Sequence, residues 1–163
     1  MMSLCWDTPL VPLMLTLMTC ALGDLALRLT AAAGPCWPRA VLDSATHGVV
    51  ALLSWAAVSW PAVSWRLAAA AGIVGAGIDL DHVLMAGSLD IHDVVNLPTR
   101  PPLHATTPWL MLAAPLAAGA RTSWRTAAAL LLTAALSHHV RDAERRGLWL
   151  WPLGSTPPLP TAL

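Results

Sequence analysis

Apolar and polar positions along this chain do not alternate. They come as long Ala/Leu/Val blocks separated by short polar or Pro-rich turns. Blocks of this kind predict helices surrounded by lipid or by other helices, not the one-sided helices of a water-soluble domain. The first block covers about 9–33 and ends in Gly34-Pro35-Cys36-Trp37-Pro38, a cluster of helix breakers. From Ser44 to Ser88 the chain is almost continuously apolar, too long for one span of about 20 residues. Pro61 interrupts it, and Trp60, Trp65 and Arg66 suit the headgroup region. The expected spans are therefore 44–60 and 67–88, the second with a small-residue stripe (Ala68, Gly72, Ala76) that lets a neighbouring helix approach closely. A polar loop over 89–103 leads to a fourth span at 104–120, and Arg121–Arg125 leads to a fifth at 126–144. The stretch 147–163 reads as an interfacial, Pro-rich tail. The pattern predicts an all-α, multi-pass membrane helical bundle of about five transmembrane helices, one domain over 1–163.

Composition points the same way. Of the 163 residues 56% are hydrophobic and 11% charged, and mean hydropathy is +0.62. Nine Arg balance nine Asp and Glu, so the net charge is zero. That excludes a nucleic-acid binder working through a basic footprint, and such apolarity excludes a disordered chain. Cys5, Cys20 and Cys36 are odd in number and never closely paired, so they read as small apolar fillers instead of thiolate ligands. The first residues lack Lys and Arg and carry Asp7, which argues against a cleaved signal peptide.

The informative residues are the ionisable ones inside the apolar blocks, since each Asp or Arg deep in hydrocarbon costs about 2.5–3.5 kcal/mol. Asp79, Asp81 and His82 fall in the exit half of the third block. His138, His139 and Asp142 fall at the exit of the fifth, His47 at the start of the second, and Arg100 with His104 at the start of the fourth. A chain passing back and forth brings all of these, with Asp24 and Arg28, to one side of the membrane. Imidazoles and carboxylates are the usual ligands of Zn or Mn, and four helices each giving one or two inward ligands can hold a metal in a bundle. On a helix Asp79 and His82 share a face, as do His138, His139 and Asp142. Asp81 points away from Asp79, so it either supports a ligand from behind or needs a distortion near Gly75 and Gly77.

The candidate metal ligands are thus His47, Asp79, His82, His104, His138 and Asp142, with Asp81 and His139 in reserve. Asp81 and Arg100 are the candidates for catalytic roles. Other charges read more plainly. Asp24 and Arg28, four apart, read as an intramembrane ion pair, and Asp90, His92 and Asp93 as a solvated loop. Arg141, Arg145 and Arg146 follow a helix end and read as juxtamembrane anchors. Counting arginines by side puts the polar cluster toward the cytoplasm.

Several strings, in order, resemble the transmembrane protein 267 family, a small multi-pass vertebrate family. They are Asp43-Ser-Ala-Thr-His47, Ile78-Asp-Leu-Asp-His82 with Ala86-Gly87-Ser88, Leu97-Pro-Thr-Arg-Pro-Pro-Leu-His104, Ser137-His-His-Val-Arg-Asp142, and Gly147-Leu-Trp-Leu-Trp-Pro-Leu-Gly154 with Pro157-Pro-Leu-Pro160. The resemblance covers the chain from about Asp24 onward. It implies a multi-pass fold with a further hydrophobic segment after the Pro-Leu-Pro string, and it implies no particular reaction. The order His, Asp-x-Asp-His, His, His-x-x-x-Asp is similar to bacterial YdjM-type membrane-bound metal-dependent hydrolases, themselves distantly similar to zinc phospholipases C. That second resemblance implies His47, Asp79, Asp81, His82, His104, His138 and Asp142 as ligands, a divalent metal, and a lipid or lipid-like phosphoester as substrate. The alternative is a non-enzymatic membrane protein whose His and Asp residues form a structural hydrogen-bond network. An ion pathway is disfavoured because the polar residues gather at one end of the spans.

Overall fold

A computed structural model of the chain describes residues 8–159; Cys5, Asp7 and Pro160 lie outside the described residues. Seven helices follow in order: α1 (Leu10–Leu29), α2 (Trp37–Val58), α3 (Trp65–Gly77), α4 (Leu80–Ala86), α5 (Ile91–Val95), α6 (Thr106–Ala118) and α7 (Thr122–Arg146). A small antiparallel hairpin, β1 (Trp149–Leu150) with β2 (Gly154–Ser155), follows α7. The bundle is built on α2, which packs against α1, α3 and α7, while α7 also packs against α3 and α6.

Three segments are long and apolar enough to cross a membrane: Leu10–Leu29, Trp37–Val58 and Trp65–Ala86, the last made of α3 and α4 together. Five spans were expected, and among the described residues three segments have that length and apolarity. Helix α6 has only 13 residues, about 20 Å at 1.5 Å per residue, short of a hydrocarbon core of about 30 Å. Helix α7 has 25 residues, long enough, but its last turns carry Arg141, Asp142, Glu144, Arg145 and Arg146. Its polar end is turned into the bundle, with His138, His139 and Arg141 buried. Helix α1 is the opposite case, with leucines facing outward along its length and Leu22 61% exposed. Such a face fits acyl chains, which are as apolar as Leu.

Other boundaries shift for local reasons. Helix α2 begins at Trp37, ahead of the expected Ser44, because Pro38 falls in its first turn, where a missing N–H leaves no hydrogen bond unmade. The polar loop contains α5, whose start is capped by Asp90 accepting from the His92 N–H at 2.8 Å. The tail from 147 is not merely an interfacial strand of prolines, since its hairpin folds back and Leu148 N–H donates to Thr156 Oγ1 at 2.9 Å.

Where Gly48 meets Gly72 the α2–α3 contact is backbone against backbone. A Cβ on Gly48 would lie 3.0 Å from the Gly72 carbonyl oxygen, and one on Gly72 would lie 3.0 Å from the Gly48 carbonyl oxygen. One turn on, a Cβ on Gly75 would lie 2.6 Å from Ala51 Cβ. The small stripe thus extends to Gly75, and α3 ends two residues later. The break at Ile78–Asp79 leaves Gly75 among the last carbonyls of a helix, which have no partner within it.

Arg141 ties the outer helix to this core. Its guanidinium donates to Asp43 on α2 at 2.6 Å and to Asp24 on α1. The expected Asp24–Arg28 pair is corrected: Arg28 is exposed, and Asp24 turns inward to a cation on α7 that is itself 6% exposed. Arg141 and Arg145 are likewise not lipid-surface anchors, because carboxylates of the bundle hold both.

Two outcomes follow. Gly75→Val should destabilise the protein by about 1–3 kcal/mol, the usual cost of forcing bulk into a filled contact, while Gly77→Ala, with open space around it, should leave thermal unfolding in detergent nearly unchanged. Arg141→Met should cost about 3 kcal/mol, since it strands two carboxylates. Adding Asp24→Asn and Asp43→Asn should return part of that loss in a mutant cycle read by denaturant unfolding.

Candidate metal centre

At one end of the bundle the chain delivers imidazoles and carboxylates from five places: His47 from the first half of α2, Asp79 at the α3–α4 break, His82 from α4, His104 from the turn before α6, and His138 with Asp142 from the end of α7. The geometry centres on two ring nitrogens. His138 Nε2 and His104 Nε2 lie 3.2 Å apart.

Each ring is held by its other nitrogen. His138 Nδ1 is 2.9 Å from the Gly75 carbonyl oxygen. A carbonyl only accepts, so Nδ1 carries the proton and Nε2 presents its lone pair. His104 Nδ1 is 3.3 Å from Asp81 Oδ2. Asp81 is itself fixed by the Leu103 N–H at 2.8 Å and is 3% exposed. A carboxylate or carbonyl behind a histidine is the arrangement that aims a metal-ligating nitrogen.

Two carboxylates approach this pair of nitrogens. Asp79 Oδ1 lies 3.3 Å from His104 Nε2 and 3.7 Å from His138 Nε2. Asp142 Oδ2 lies 3.6 Å and 3.8 Å from the same two nitrogens. Ligands at 2.0–2.1 Å around a tetrahedral ion sit about 3.3 Å from one another, so groups at these separations could hold a metal. His47, Asp79 and His138 form one group of close ligand atoms, His104, His138 and Asp142 a second, and Asp79, His82 and His104 a third.

The remaining candidates have other partners. His47 stacks on His138 at 3.8 Å between centroids, and its Nε2 lies 3.0 Å from Arg141 Nη1 and 3.4 Å from Asp142 Oδ1. It thus joins the cluster to the Arg141 network. His82 Nδ1 sits 3.3 Å from Asp81 Oδ1, and the residue lines the adjoining cavity. Asp81 does not face the nitrogen pair. The helix break turns it behind His104.

His139 and Arg100 are not brought into the cluster. His139 spends both nitrogens elsewhere, Nδ1 on Thr106 Oγ1 at 3.1 Å and Nε2 on the Leu103 carbonyl at 3.0 Å. It buttresses the turn that carries His104. Arg100 donates to the Gly147 carbonyl at 3.2 Å and to Ser155 Oγ at 3.2 Å, so it joins the end of α7 to the hairpin and touches none of the ligands named above. Asp43 was not among the sequence candidates. Its position four residues before His47 on one helix face was the available signal, and it holds both Arg141 and Arg145.

Comparison with known proteins gives a consistent relationship. The chain is 37% identical over 150 residues to transmembrane protein 267 of Mus musculus, covering 88% of this chain and 70% of the mouse protein. It is 41% identical over 130 residues to the Danio rerio protein of that name, covering 76% of this chain and 59% of the fish protein. The Xenopus laevis protein of that name is 40% identical over 131 residues, with 61% of it matched. The matched region thus spans less than two thirds of the fish and frog relatives. No protein-family profile matches the chain, and no solved structure matches it significantly. With three apolar helices of spanning length and these relatives, the chain is a membrane protein and belongs to the transmembrane protein 267 family.

Proposed function

We propose that the His–Asp cluster holds a divalent metal, Zn or Mn, and serves hydrolysis of a lipid-like phosphoester at one face of the membrane. One observation carries this reading: His104 Nε2 and His138 Nε2 lie 3.2 Å apart, with an Asp79 oxygen 3.3 and 3.7 Å and an Asp142 oxygen 3.6 and 3.8 Å from the two nitrogens. A single proton on His104 would account for the contact between the rings. It would not explain why Asp79 and Asp142 both approach that pair from different parts of the fold. The order of His and Asp residues, similar to YdjM-type hydrolases, supports the same reading.

Bound there, a divalent cation supplies Lewis acidity toward water and an ester oxygen. The chain's own residues do the rest. Asp79, His104, His138 and Asp142 are the ligands, and Asp81 and the Gly75 carbonyl orient the two rings. His82, with Nδ1 against Asp81, leaves Nε2 to receive a proton at the cavity wall. In hydrolysis the water oxygen bonds to phosphorus, the phosphorus–oxygen bond to the alcohol breaks, and the water proton passes by way of His82 to the leaving alkoxide.

The test is elemental analysis of the full chain purified in detergent, beside Asp79→Asn and His138→Ala. About one Zn or Mn per chain is expected, falling well below stoichiometric in both variants, and chelation should lower the unfolding temperature of the unmutated protein but not of Asp79→Asn. Stabilisation of about 2.7 kcal/mol is expected at a metal concentration a hundred times Kd. Less than stoichiometric metal in the unmutated protein ends the hydrolase reading. Loss of folding without metal to lose is the signature of the structural network.

A further inference from the structure

The cavity beside the His–Asp cluster has a volume of about 480 Å³ and a mixed lining. Its apolar part includes Trp37 and Val41 from α2, Val83 from α4 and Val94 from α5. Its charged part is Asp43, Asp79 and Asp142 with Arg145 and Arg146.

The two arginines differ. Arg145 is held by Asp142 at 2.6 Å and by Asp43 at 3.1 Å. Arg146 makes no ion pair among the described residues. Its neighbour Arg100 also lacks a carboxylate partner there, donating to the Gly147 carbonyl and to Ser155 Oγ. Burial, and then the charge of Arg146, lower the pKa of Arg100, so the two cations lie within electrostatic reach of each other. Neighbouring guanidinium groups without acids of their own suit an anion, and phosphate above all.

Position adds to this. His138, Asp142 and Arg146 recur every four residues and share one face of α7, which places Arg146 about 6 Å further along the axis than Asp142. At about 30 Å³ per water-sized group the cavity holds roughly sixteen such groups, room for a phosphate and one chain of roughly ten carbons but not for two acyl chains.

We infer that the cavity takes a single-chain phosphate ester, its phosphate between the His–Asp cluster and Arg146 and its alkyl chain along Trp37, Val41 and Val83. This rests on the metal reading, because Asp43, Asp79 and Asp142 line the same cavity and a cation there offsets their charge toward the phosphate; Arg146 and the apolar side chains supply the rest of the recognition.

The experiment titrates the full chain in maltoside micelles with dodecyl phosphate, inorganic phosphate and, in nanodiscs, a diacyl phosphatidate, by microscale thermophoresis, with metal content measured on every sample. Dodecyl phosphate should bind at least tenfold more tightly than inorganic phosphate. Arg146→Gln should weaken dodecyl phosphate at least tenfold with unchanged metal content, and Arg146→Lys should recover part of the loss. Val83→Trp should weaken dodecyl phosphate and leave inorganic phosphate unchanged. Equal affinity for dodecyl and inorganic phosphate, or indifference to Arg146→Gln, overturns the proposal, and tighter binding of the diacyl lipid overturns the single-chain part of it. Metal without Arg146-dependent binding sinks this inference alone; Arg146-dependent binding without metal sinks the metal reading alone.

Discussion

The arrangement of this protein turns on two imidazole rings that cannot move apart. His138 is pinned by a carbonyl at the end of α3, and His104 by a carboxylate at the start of α4. Both anchors lie beside one break in one apolar helix, so that break positions the two rings whose Nε2 atoms lie 3.2 Å apart. Two imidazole nitrogens this close in an apolar surrounding need something positive between them, a shared proton or a bound cation. The close α2–α3 contact at Gly48, Gly72 and Gly75 keeps the break from relaxing.

The same physics explains why a helix as charged as α7 sits in a bundle of greasy ones. Its last turns bring cations to acids of α1 and α2, and ligand groups to the break in α3–α4. A charge brought into a low-dielectric surrounding is tolerated when it meets a well-placed opposite charge. Arg141, shared by Asp24, Asp43 and His47, is the clearest instance.

Much of the site was legible in the sequence because acids and imidazoles within apolar blocks are too costly to be filler. Asp79, His82, His138 and Asp142 stand out for that reason, and the packing of α7 against α2 and α3 brings them to one end of the bundle. What the sequence did not display was pairing over distance. Asp24 has an Arg four residues away yet pairs with Arg141, 117 positions on, because helix packing, not spacing, decides which cation is buried beside it. His139 adjoins His138 and is chemically identical to it, but neighbours on a helix point about 100° apart, and its direction leads to Thr106 and Leu103. Five spans were expected where three segments are long and apolar enough, because composition alone does not separate a long apolar helix from one that is short, such as α6, or from one with a polar, inward-turned end, such as α7.

The Arg141 network has a consequence for biogenesis. Translation delivers Asp24 and Asp43 to the insertion machinery well before Arg141, the cation that holds them. For that interval the early helices carry uncompensated acids, so their retention depends on the last long helix arriving. A nascent chain interrupted before α7 should be treated by cellular quality control as an orphan.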